Sequence, residues 1–532
     1  MRLARGHVLI GINDEALLAG ARDIEAALRE ALHAHGLADE IEVIETGDLG
    51  AAGQGVVLSV YPDGVQYAGV GVEDVDEIVT EHLLKGRPVE RLRLAARPIA
   101  PTGLTGKQPR IVLENCGVID PESLEEAIAS GAYEAMAKVI ESGVLPADIV
   151  DVVKQSGLRG RGGAGFPTGL KWSFTAPGDR KYIVCNADEG EPGTFKDRLI
   201  LEGDPHRLIE GMMLAGYAVS ASAGYLYIRG EYHLSIDRMQ KAIDAAREAG
   251  LLGEGVFGSD FSFDLEIKKG AGAYVCGEET SLIESIEGKR GYPRIKPPYP
   301  GAVGLWGKPT VVNNVETLAN VPPIVLHGAQ WYRGFGTEDC PGTKVYTILG
   351  HVENPGLIEV EMGTALRVII DEYGGGVRGG KRFKGALIGG AAGAFVDEAS
   401  LDVAMDFEGL KDYAAVLGSG AILVFDETVS MVDVLHGILH FFRHESCGQC
   451  APCRLGTAQL VETIDRIASG AGSVEDLGLL RDIATMMRNT SLCPLGQSPI
   501  LPIETVLGCF GDEFTERLTD GATAPSSRQG RN

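Results

Sequence analysis

The chain contains Gly157-Leu-Arg-Gly-Arg-Gly-Gly-Ala-Gly-Phe-Pro-Thr-Gly-Leu-Lys171, a stretch with six glycines in its first thirteen positions and a lysine at its end. Because glycine lacks Cβ and readily adopts positive φ, consecutive N–H groups of this stretch can converge on an anion. Ile149 and Val153 have the spacing of a helix face, so one helix is predicted to end at Gly157. A second helix is predicted to begin after Gly169. The stretch predicts a phosphate or cofactor loop, although no strand precedes it as in a Rossmann turn.

Length and composition describe a large globular protein. With 532 residues, of which 44% are hydrophobic and 23% charged, the chain can form several domains. No apolar run reaches the ~18 residues of a membrane span, and the N-terminus lacks an apolar signal segment, so a cytoplasmic protein is expected. The formal net charge of -26 argues against a nucleic-acid partner. Nine cysteines with clustered spacing favour metal ligation over disulfides.

Four of the cysteines have the spacing of a metal centre. Cys447, Cys450 and Cys453 form a C-x2-C-x2-C motif, and Cys493 follows forty residues later. Three thiolates from one loop and a fourth from a distant turn are the ligand set of a four-iron, four-sulfur (4Fe-4S) cluster. Zinc also binds four cysteines, usually as two separate C-x2-C pairs. Apolar residues at helical spacing around the motif predict that a helical bundle over residues 427–520 holds the cluster.

Three polar clusters in residues 136–333 are expected at one ligand site. Residues 186–193 follow an apolar strand, residues 270–279 join glycines to a predicted strand and a pair of acids, and residues 311–317 supply adjacent amides before a helix. Strand ends are where α/β proteins bind ligands. A solvent-exposed helix start is the alternative interpretation of Glu278 and Glu279. Residues 289–300 form a basic, proline-rich arm with two tyrosines, which could lie over an anionic aromatic ligand.

A cofactor loop followed by one iron–sulfur centre indicates a protein that accepts a hydride and passes on single electrons. A nicotinamide exchanges hydride and a cluster exchanges one electron at a time, so a flavin is needed to join them. A second hypothesis is an electron-relay or assembly subunit that binds no nucleotide. A zinc-binding scaffold is the third.

The two ends of the chain and the segment before the cysteine motif carry weaker signals. Residues 1–97 read as strand, helix, two strands, a Tyr61-Pro-Asp-Gly64 turn, a strand and a helix. Residues 98–135 form a linker rich in proline and glycine, and residues 334–426 predict a small mixed β domain. Its glycine-rich segments 374–376 and 389–393 are interpreted as tight turns in preference to a second nucleotide site. The polar tail, residues 521–532, is predicted to be disordered.

The first domain resembles the thioredoxin-like ferredoxins. That family normally carries a two-iron, two-sulfur (2Fe-2S) cluster on four cysteines, but no cysteine precedes Cys116 in this chain. Asp48 and Ala52 occupy the segment in which the family places ligands. Because a cluster cannot be assembled without thiolates, we predict a docking or structural domain without a cluster.

Residues 136–520 resemble the NADH-oxidising flavoprotein subunit of respiratory complex I. The motifs that carry this resemblance are the glycine-rich stretch, residues 186–193, 270–279, 296–300 and 311–317, and the four cysteines. The resemblance implies a multidomain α/β protein with a Rossmann-like FMN domain (136–333), a β-grasp, SLBB-like domain (334–426) and a helical 4Fe-4S domain (427–520). The implied cofactors are FMN, NAD and the 4Fe-4S cluster. Hydride is expected to pass directly between nicotinamide and flavin without an obligatory protein acid or base.

The same resemblance assigns residues to each ligand. The implied FMN site consists of Gly160, Gly162, Gly163, Lys171, Asn186, Asp188, Glu189, Tyr274, Gly277, Glu278, Glu279, Asn313, Asn314 and Thr317. The implied NAD contacts are Gly163, Phe166, Phe174, Glu191, Lys296 and Tyr299, the last usually Phe in relatives. The implied cluster ligands are Cys447, Cys450, Cys453 and Cys493. Glu279 and Glu191 are the expected catalytic positions, with Glu279 tuning the local field.

The cluster-free first domain argues against the usual, shorter complex I subunit, which stays one alternative. It is similar to the extension of the beta subunits of cytosolic, molybdenum-containing, NAD-dependent formate dehydrogenases. The diaphorase subunits of NAD-reducing hydrogenases are the nearest alternative. The resemblance implies two partners, a thioredoxin-like small subunit with a 2Fe-2S cluster and a large molybdenum-containing subunit that oxidises formate. No nucleic-acid or membrane partner is expected.

Overall fold

The computed structural model describes residues 6–38, 40–49, 53–94, 109–413 and 415–518. The first domain is a four-stranded sheet in the order β2-β1-β3-β4, in which β1 and β2 are parallel and the other pairs antiparallel. Its elements are β1 (Gly6–Gly11), α1 (Asp14–Leu18), α2 (Ala21–Ala34), β2 (Ile41–Thr46), β3 (Leu58–Tyr61), β4 (Val65–Tyr67) and α3 (Val75–Glu77), which continues as a π-helical turn, Ile78–Leu84. This arrangement confirms the predicted thioredoxin-like fold. Asp48 accepts a hydrogen bond from the Asn13 side chain at 2.7 Å, and Ala52 lies outside the described residues.

The second domain contains a parallel sheet in the order β7-β6-β5-β8 with helices on both faces. Before the sheet come α4 (Leu124–Ala129), α5 (Glu134–Glu141), α6 (Pro146–Ser156) and α7 (Thr168–Ser173). The sheet region consists of β5 (Tyr182–Ala187), α8 (Lys196–Gly203), α9 (Pro205–Val219), β6 (Ala223–Ile228), α10 (His233–Glu248), β7 (Asp264–Lys269), α11 (Glu279–Ile286), β8 (Thr310–Asn314), α12 (Val315–Ala319), α13 (Val321–His327) and α14 (Ala329–Tyr332). In the pairing of β5 with β8, Asn186 stands opposite Asn314, so their polar ends meet at one edge. The predicted Rossmann-like domain is confirmed.

The third domain is a five-stranded mixed sheet in the order β10-β9-β13-β11-β12. Its elements are β9 (Thr343–Gly350), β10 (Gly356–Glu361), α15 (Leu366–Val368), which continues as a π-helical turn, Ile369–Tyr373, β11 (Phe383–Ile388), β12 (Ala394–Val396) and β13 (Ala421–Asp426). The central strands β13 and β9 are parallel and the outer pairs antiparallel, as in a β-grasp sheet.

The fourth domain is the predicted helical bundle. It consists of α16 (Met431–Glu445), α17 (Ala451–Ala468), α18 (Val474–Thr490), α19 (Pro494–Gln497) and α20 (Ile500–Thr515). Leu435, Leu460, Ile464 and Met487 are fully buried between the long helices, as their spacing predicts. No helix within the described residues is long and apolar enough to cross a membrane. The predicted disordered tail lies outside the described residues.

The first domain packs closely on the FMN domain. A Cβ on Gly47 would come within 2.9 Å of the Gly203 Cα, so the two backbones are in direct contact. The buried Arg238 on α10 donates to the Ile12 carbonyl at 3.3 Å and to the Glu202 carbonyl at 2.7 Å. These contacts fix the thioredoxin-like domain against the rest of the chain.

Candidate flavin, nucleotide and cluster site

The glycine-rich loop lies against the end of β8. Gly157 has φ +74° and ends α6, as predicted. The Arg161 N–H donates to the Thr317 hydroxyl at 2.8 Å, and a Cβ on Gly162 would lie 2.9 Å from the Asn314 Cβ. Only glycine allows this approach, which leaves bare backbone at the edge where β5 and β8 end.

The helix predicted after Gly169 begins earlier, at Thr168, and Gly169 has a different role. A Cβ on Gly169 would lie 2.4 Å from the Lys154 backbone nitrogen, so this glycine allows α7 to pack on α6. The prediction that α7 begins after Gly169 was wrong. Gly169 lies inside α7, because the close packing of α7 on α6 leaves no room for a side chain at this position.

Arg161, which lies buried within the loop, is a further site residue that was not predicted from the sequence. Its guanidinium donates to the carbonyls of Thr343 and Pro341 and to the Tyr332 hydroxyl, each at 3.1 Å. The side chain therefore fixes the glycine loop to α14 and to the start of β9. No local pattern indicated these contacts, because the three partners lie more than 150 positions further along the chain.

Strand-end amides assemble at the same edge. The Asn186 side chain donates to the Gly277 carbonyl at 2.8 Å, and Asn313 accepts from the Trp172 indole at 2.9 Å. The Asn314 side chain donates to Asp197 at 2.6 Å. The structure thus brings together the predicted FMN residues of the glycine loop, β5, β8 and the 270–279 segment.

Asp188 is a buried carboxylate at this edge whose two oxygens lack a hydrogen-bond partner among the described residues. Burial raises the pKa of Asp188 to about 7, although Arg229 opposes the shift. A buried polar group without a partner is unfavourable unless a ligand satisfies it. Both oxygens of Glu189, in contrast, accept N–H groups of Asp197 and Arg198 at the start of α8, at 2.9 and 3.1 Å.

Two lysines and two glutamates form a compact charged group beside the loop. Lys171 contacts Glu279 at 3.2 Å, and Lys296 contacts Glu278 at 2.9 Å and Glu279 at 3.2 Å. Burial alone would raise the pKa of Glu279, but the two ammonium groups hold it below its ordinary value. Glu278 also caps α11 by accepting from the Thr280 and Ser281 N–H groups, so a helix does start there. Its side chain is only 9% exposed, so the solvent-exposed interpretation was wrong for Glu278.

The segment before these glutamates is not the strand predicted from sequence. Residues Tyr274–Gly277 form a 3-10 helix between β7 and α11. Val275 and Cys276 of this turn are buried, so the segment is apolar. Such a short apolar run has the same sequence pattern as a buried strand. This turn places the Tyr274 hydroxyl 2.7 Å from Glu191 Oε2 and its backbone N–H 2.8 Å from Glu445 Oε2.

The expected nucleotide contacts include exposed aromatic rings. The rings of Phe166 and Phe174 lie with centroids 6.5 Å apart, and their side chains are 47% and 62% exposed. Tyr299 is 61% exposed, and Gly301 just beyond it accepts a hydrogen bond from Ala176, close to Phe174. Exposed rings beside Lys296 and a glycine loop form an open surface suited to a dinucleotide.

The β-grasp domain also reaches this site. The Ala391 N–H donates to Glu191 Oε1 at 2.5 Å, and burial raises the pKa of Glu191. A Cβ on Gly390 would lie 2.3 Å from the same oxygen. Gly389 and Gly390 are a tight turn, as predicted, but no local sequence pattern indicated that this turn contacts Glu191.

The four predicted cluster ligands converge where α16, α17 and α19 meet. Cys447 and Cys450 lie in the turn between α16 and α17, Cys453 lies in the first turn of α17, and Cys493 precedes α19. A Cβ on Gly496 would lie 2.9 Å from the Cys453 Cβ, so α19 packs directly on the first turn of α17. Cys453 and Cys493 belong to one buried cluster, against which Cys447 and Cys450 pack. Burial raises the pKa of Cys453 to about 11.

The origin of the four thiols fits a cluster. Three come from one short loop and the first turn of α17, and the fourth comes from the segment before α19. Four cysteine thiolates are the ligand set of a 4Fe-4S cluster. Glu445, two residues before Cys447, accepts a hydrogen bond from the Tyr274 N–H and so connects the cysteine loop to the 3-10 helix Tyr274–Gly277.

Comparisons with known proteins agree with this geometry. Residues 153–323 match the Nuo51 FMN-binding domain, residues 345–393 the SLBB domain, and residues 433–517 the NADH-ubiquinone oxidoreductase-F iron-sulfur binding region. The chain is 51% identical over 424 residues to the NADP-reducing hydrogenase subunit HndC of Solidesulfovibrio fructosivorans, covering 79% of this chain and 86% of that protein. It is 45% identical over 401 residues to the mitochondrial NADH dehydrogenase [ubiquinone] flavoprotein 1 of Dictyostelium discoideum, covering 74% and 83%.

A solved structure extends the similarity to the first domain. The NAD+-reducing [NiFe]-hydrogenase in its H2-reduced state contains a chain with a TM-score of 0.68 and 33% identity, covering 97% of this chain and 84% of that one. The fold and the site define an iron–sulfur flavoprotein that oxidises NADH, with FMN and a 4Fe-4S cluster as cofactors. The chain belongs to the family of 51 kDa flavoprotein subunits of NADH-ubiquinone oxidoreductase.

Proposed function

We propose that this chain is the diaphorase subunit of a cytoplasmic, NAD-dependent formate dehydrogenase. The observation that carries the electron-transfer role is the contact between the Tyr274 N–H and Glu445 at 2.8 Å. Tyr274 belongs to the proposed flavin edge, which consists of the ends of β5 and β8 and the adjoining 3-10 helix Tyr274–Gly277. Glu445 ends the helix that leads into Cys447. When bound, FMN supplies a ring that exchanges hydride with a nicotinamide and single electrons with a cluster.

The residues of the chain bind and orient the two nucleotides. Bare backbone at Gly160, Gly162 and Gly163 allows the flavin phosphate to approach, and Asp188 supplies the unsatisfied carboxylate for a hydroxyl donor. The exposed rings of Phe166, Phe174 and Tyr299 stack on the dinucleotide, and Lys296 attracts its pyrophosphate or ribose. No side chain has to move a proton for the hydride transfer itself.

Glu279 and Glu191 differ in what they do at the site. Glu279 is ionised between Lys171 and Lys296, so it reduces the positive field that the flavin meets. Glu191 is held by Tyr274 and Ala391 and offers an oriented acceptor to NAD. In Glu279→Gln we expect altered turnover or nucleotide affinity. If both are unchanged, Glu279 has no such role.

A visible absorbance spectrum tests the nucleotide chemistry. Addition of NADH to the purified protein is expected to bleach the FMN band and then reduce the cluster. A spectrum that shows only a cluster and does not respond to NADH would support an electron-relay or assembly subunit. Metal analysis that returns zinc without iron would support a zinc scaffold.

The formate assignment rests on the cluster-free thioredoxin-like domain. Hydrogenase is the second candidate, supported by the NAD+-reducing [NiFe]-hydrogenase chain, which aligns with 97% of this chain. Purification of the native complex tests both. We expect a molybdenum-containing large subunit, a thioredoxin-like 2Fe-2S small subunit and formate-dependent NAD reduction. A nickel-containing partner with hydrogen-dependent NAD reduction would overturn the formate assignment and leave the diaphorase role intact.

A further inference from the structure

Two histidines and an aspartate converge on the outer side of the cluster domain. His436 and His440 lie one turn apart on α16, with ring centroids 4.4 Å apart. Each directs Nε2 at the same oxygen of Asp465 on α17, at 2.8 and 3.0 Å. Among the described residues, this is the one set of three such side chains whose ligand atoms all lie within 4.8 Å.

The ligand set favours a particular class of metal. Two imidazole nitrogens and a carboxylate oxygen suit Zn2+, Cu2+ or Ni2+, whereas Mg2+ and Ca2+ prefer oxygen ligands alone. Histidines at positions i and i+4 of a helix can bind one ion from one side, as in H-E-x-x-H motifs.

The surroundings leave room for an ion. The side chains of His436, His440 and Asp465 are 38%, 45% and 46% exposed, so small rotations can open the space that bonds of ~2.0–2.2 Å require. Solvent on the outer side supplies water as a fourth ligand. Within the described residues, no lysine or arginine forms an ion pair with Asp465, and its carboxylate contacts the imidazoles of His436 and His440. A metal ion would therefore not have to displace a cationic side chain.

We propose that His436, His440 and Asp465 form a binding site for one divalent transition-metal ion of the Zn2+ class. The ion joins α16 to α17. Cys447 follows the end of α16, and Cys453 lies at the start of α17, so the bound ion braces the helices that carry the cluster loop. This site is separate from the cluster ligands and is independent of the proposed substrate.

Metal titration of the cluster-loaded protein tests the proposal. Zn2+ binding would be measured by competition with a chromogenic chelator, and Cu2+ binding by electron paramagnetic resonance, in the wild type and in His436→Ala, His440→Ala and Asp465→Asn. We expect one ion per chain, a Cu2+ spectrum with two imidazole nitrogens, and affinity at least ~10-fold weaker in each variant. Zn2+ is also expected to raise the Tm of the wild type but not of His436→Ala.

The matched control is His444→Ala, which removes an exposed histidine one turn further along α16 and is expected to bind like the wild type. Iron content and the cluster spectrum must remain constant, which separates this site from zinc exchange at the cysteines. Equal affinity in the wild type and His436→Ala, or no binding at millimolar Zn2+, would overturn the proposal.

Discussion

The backbone N–H of Ala391 lies 2.5 Å from Oε1 of Glu191, across 200 positions of the chain. The Tyr274 hydroxyl donates to the other oxygen of the same carboxylate at 2.7 Å. The β-grasp domain and the FMN domain thus hold Glu191 between them. This contact gives the SLBB domain a specific task in the chain, the orientation of a carboxylate on which NAD recognition is expected to depend.

Gly390→Ala should weaken nucleotide binding. The added Cβ would lie 2.3 Å from Glu191 Oε1, so the carboxylate must move and lose its bond to Ala391. We expect the KM for NADH to rise about tenfold, which is ~1.4 kcal/mol, with FMN content unchanged. Gly376→Ala is the matched control, because Gly376 has a similar φ of +80° but no neighbour within 4 Å. Equal KM values in the two variants would show that Glu191 does not depend on this turn.

Cys493→Ala should separate the two cofactors. Removal of one of four thiolates destabilises the cluster, whereas the flavin edge belongs to another domain. We expect loss of most iron and of the cluster signal in electron paramagnetic resonance, while NADH still bleaches the FMN band. Cys509→Ala, on α20, is the control and should retain iron. Full iron content in Cys493→Ala would exclude it as a ligand.

Asp188→Asn should change how stability depends on pH. Burial raises the Asp188 pKa from 3.8 to about 7, so the folded state binds a proton that the unfolded state has lost between about pH 4 and pH 7. The contribution of Asp188 to the free energy of unfolding is fully present below pH 4. It is lost as pH rises through 7, by at most about 4 kcal/mol. In the flavin-free protein we expect equal Tm values for variant and wild type at pH 4 and a higher Tm for the variant at pH 8.

The control for this pH effect is Asp260→Asn, a substitution at an exposed position. It should follow the wild type at both pH values. If Asp188→Asn also follows the wild type throughout, the Asp188 carboxyl is solvated in the flavin-free protein and its burial does not determine the pH profile.

Arg238→Met should loosen the first domain. The substitution removes hydrogen bonds to the Ile12 and Glu202 carbonyls and leaves the Ile12 oxygen buried without its partner, at a cost of about 1–3 kcal/mol. Amide hydrogen exchange in β1 and α1 should become faster, whereas exchange in the cluster domain should not. Arg247→Met, near the exposed end of α10, is the control. Unchanged exchange in β1 would mean that other contacts alone hold the domain.

The sequence predicted what depends on local pattern. Period-two and period-3.6 apolar spacing identified the thioredoxin-like strands and the long helices of the cluster domain, and cysteine spacing identified the ligands. The strand predicted around residues 274–277 was wrong, because this apolar segment is buried as a 3-10 helix and not as a strand. Within residues 334–426 the sequence predicted strands at 344–349, 357–360 and 387–388 and missed β12 and β13, although residues 421–425 are an unbroken apolar run. A run this short has no periodicity that distinguishes a buried strand from a buried helical segment.

The contacts of Arg161 and Gly390 could not be read from sequence for a different reason. Each joins segments more than 150 residues apart, and the relevant property is the space beside a backbone atom. Helical or strand periodicity carries no information about such distances. The same limit applies to His436, His440 and Asp465, since a helix hairpin had to form before the third side chain could be assigned to the pair.

The close approach of Gly47 to Gly203 limits how the first domain could be redesigned. A cysteine at position 47 would clash with the Gly203 backbone. An engineered iron–sulfur site that uses this position would therefore require the two domains to move apart.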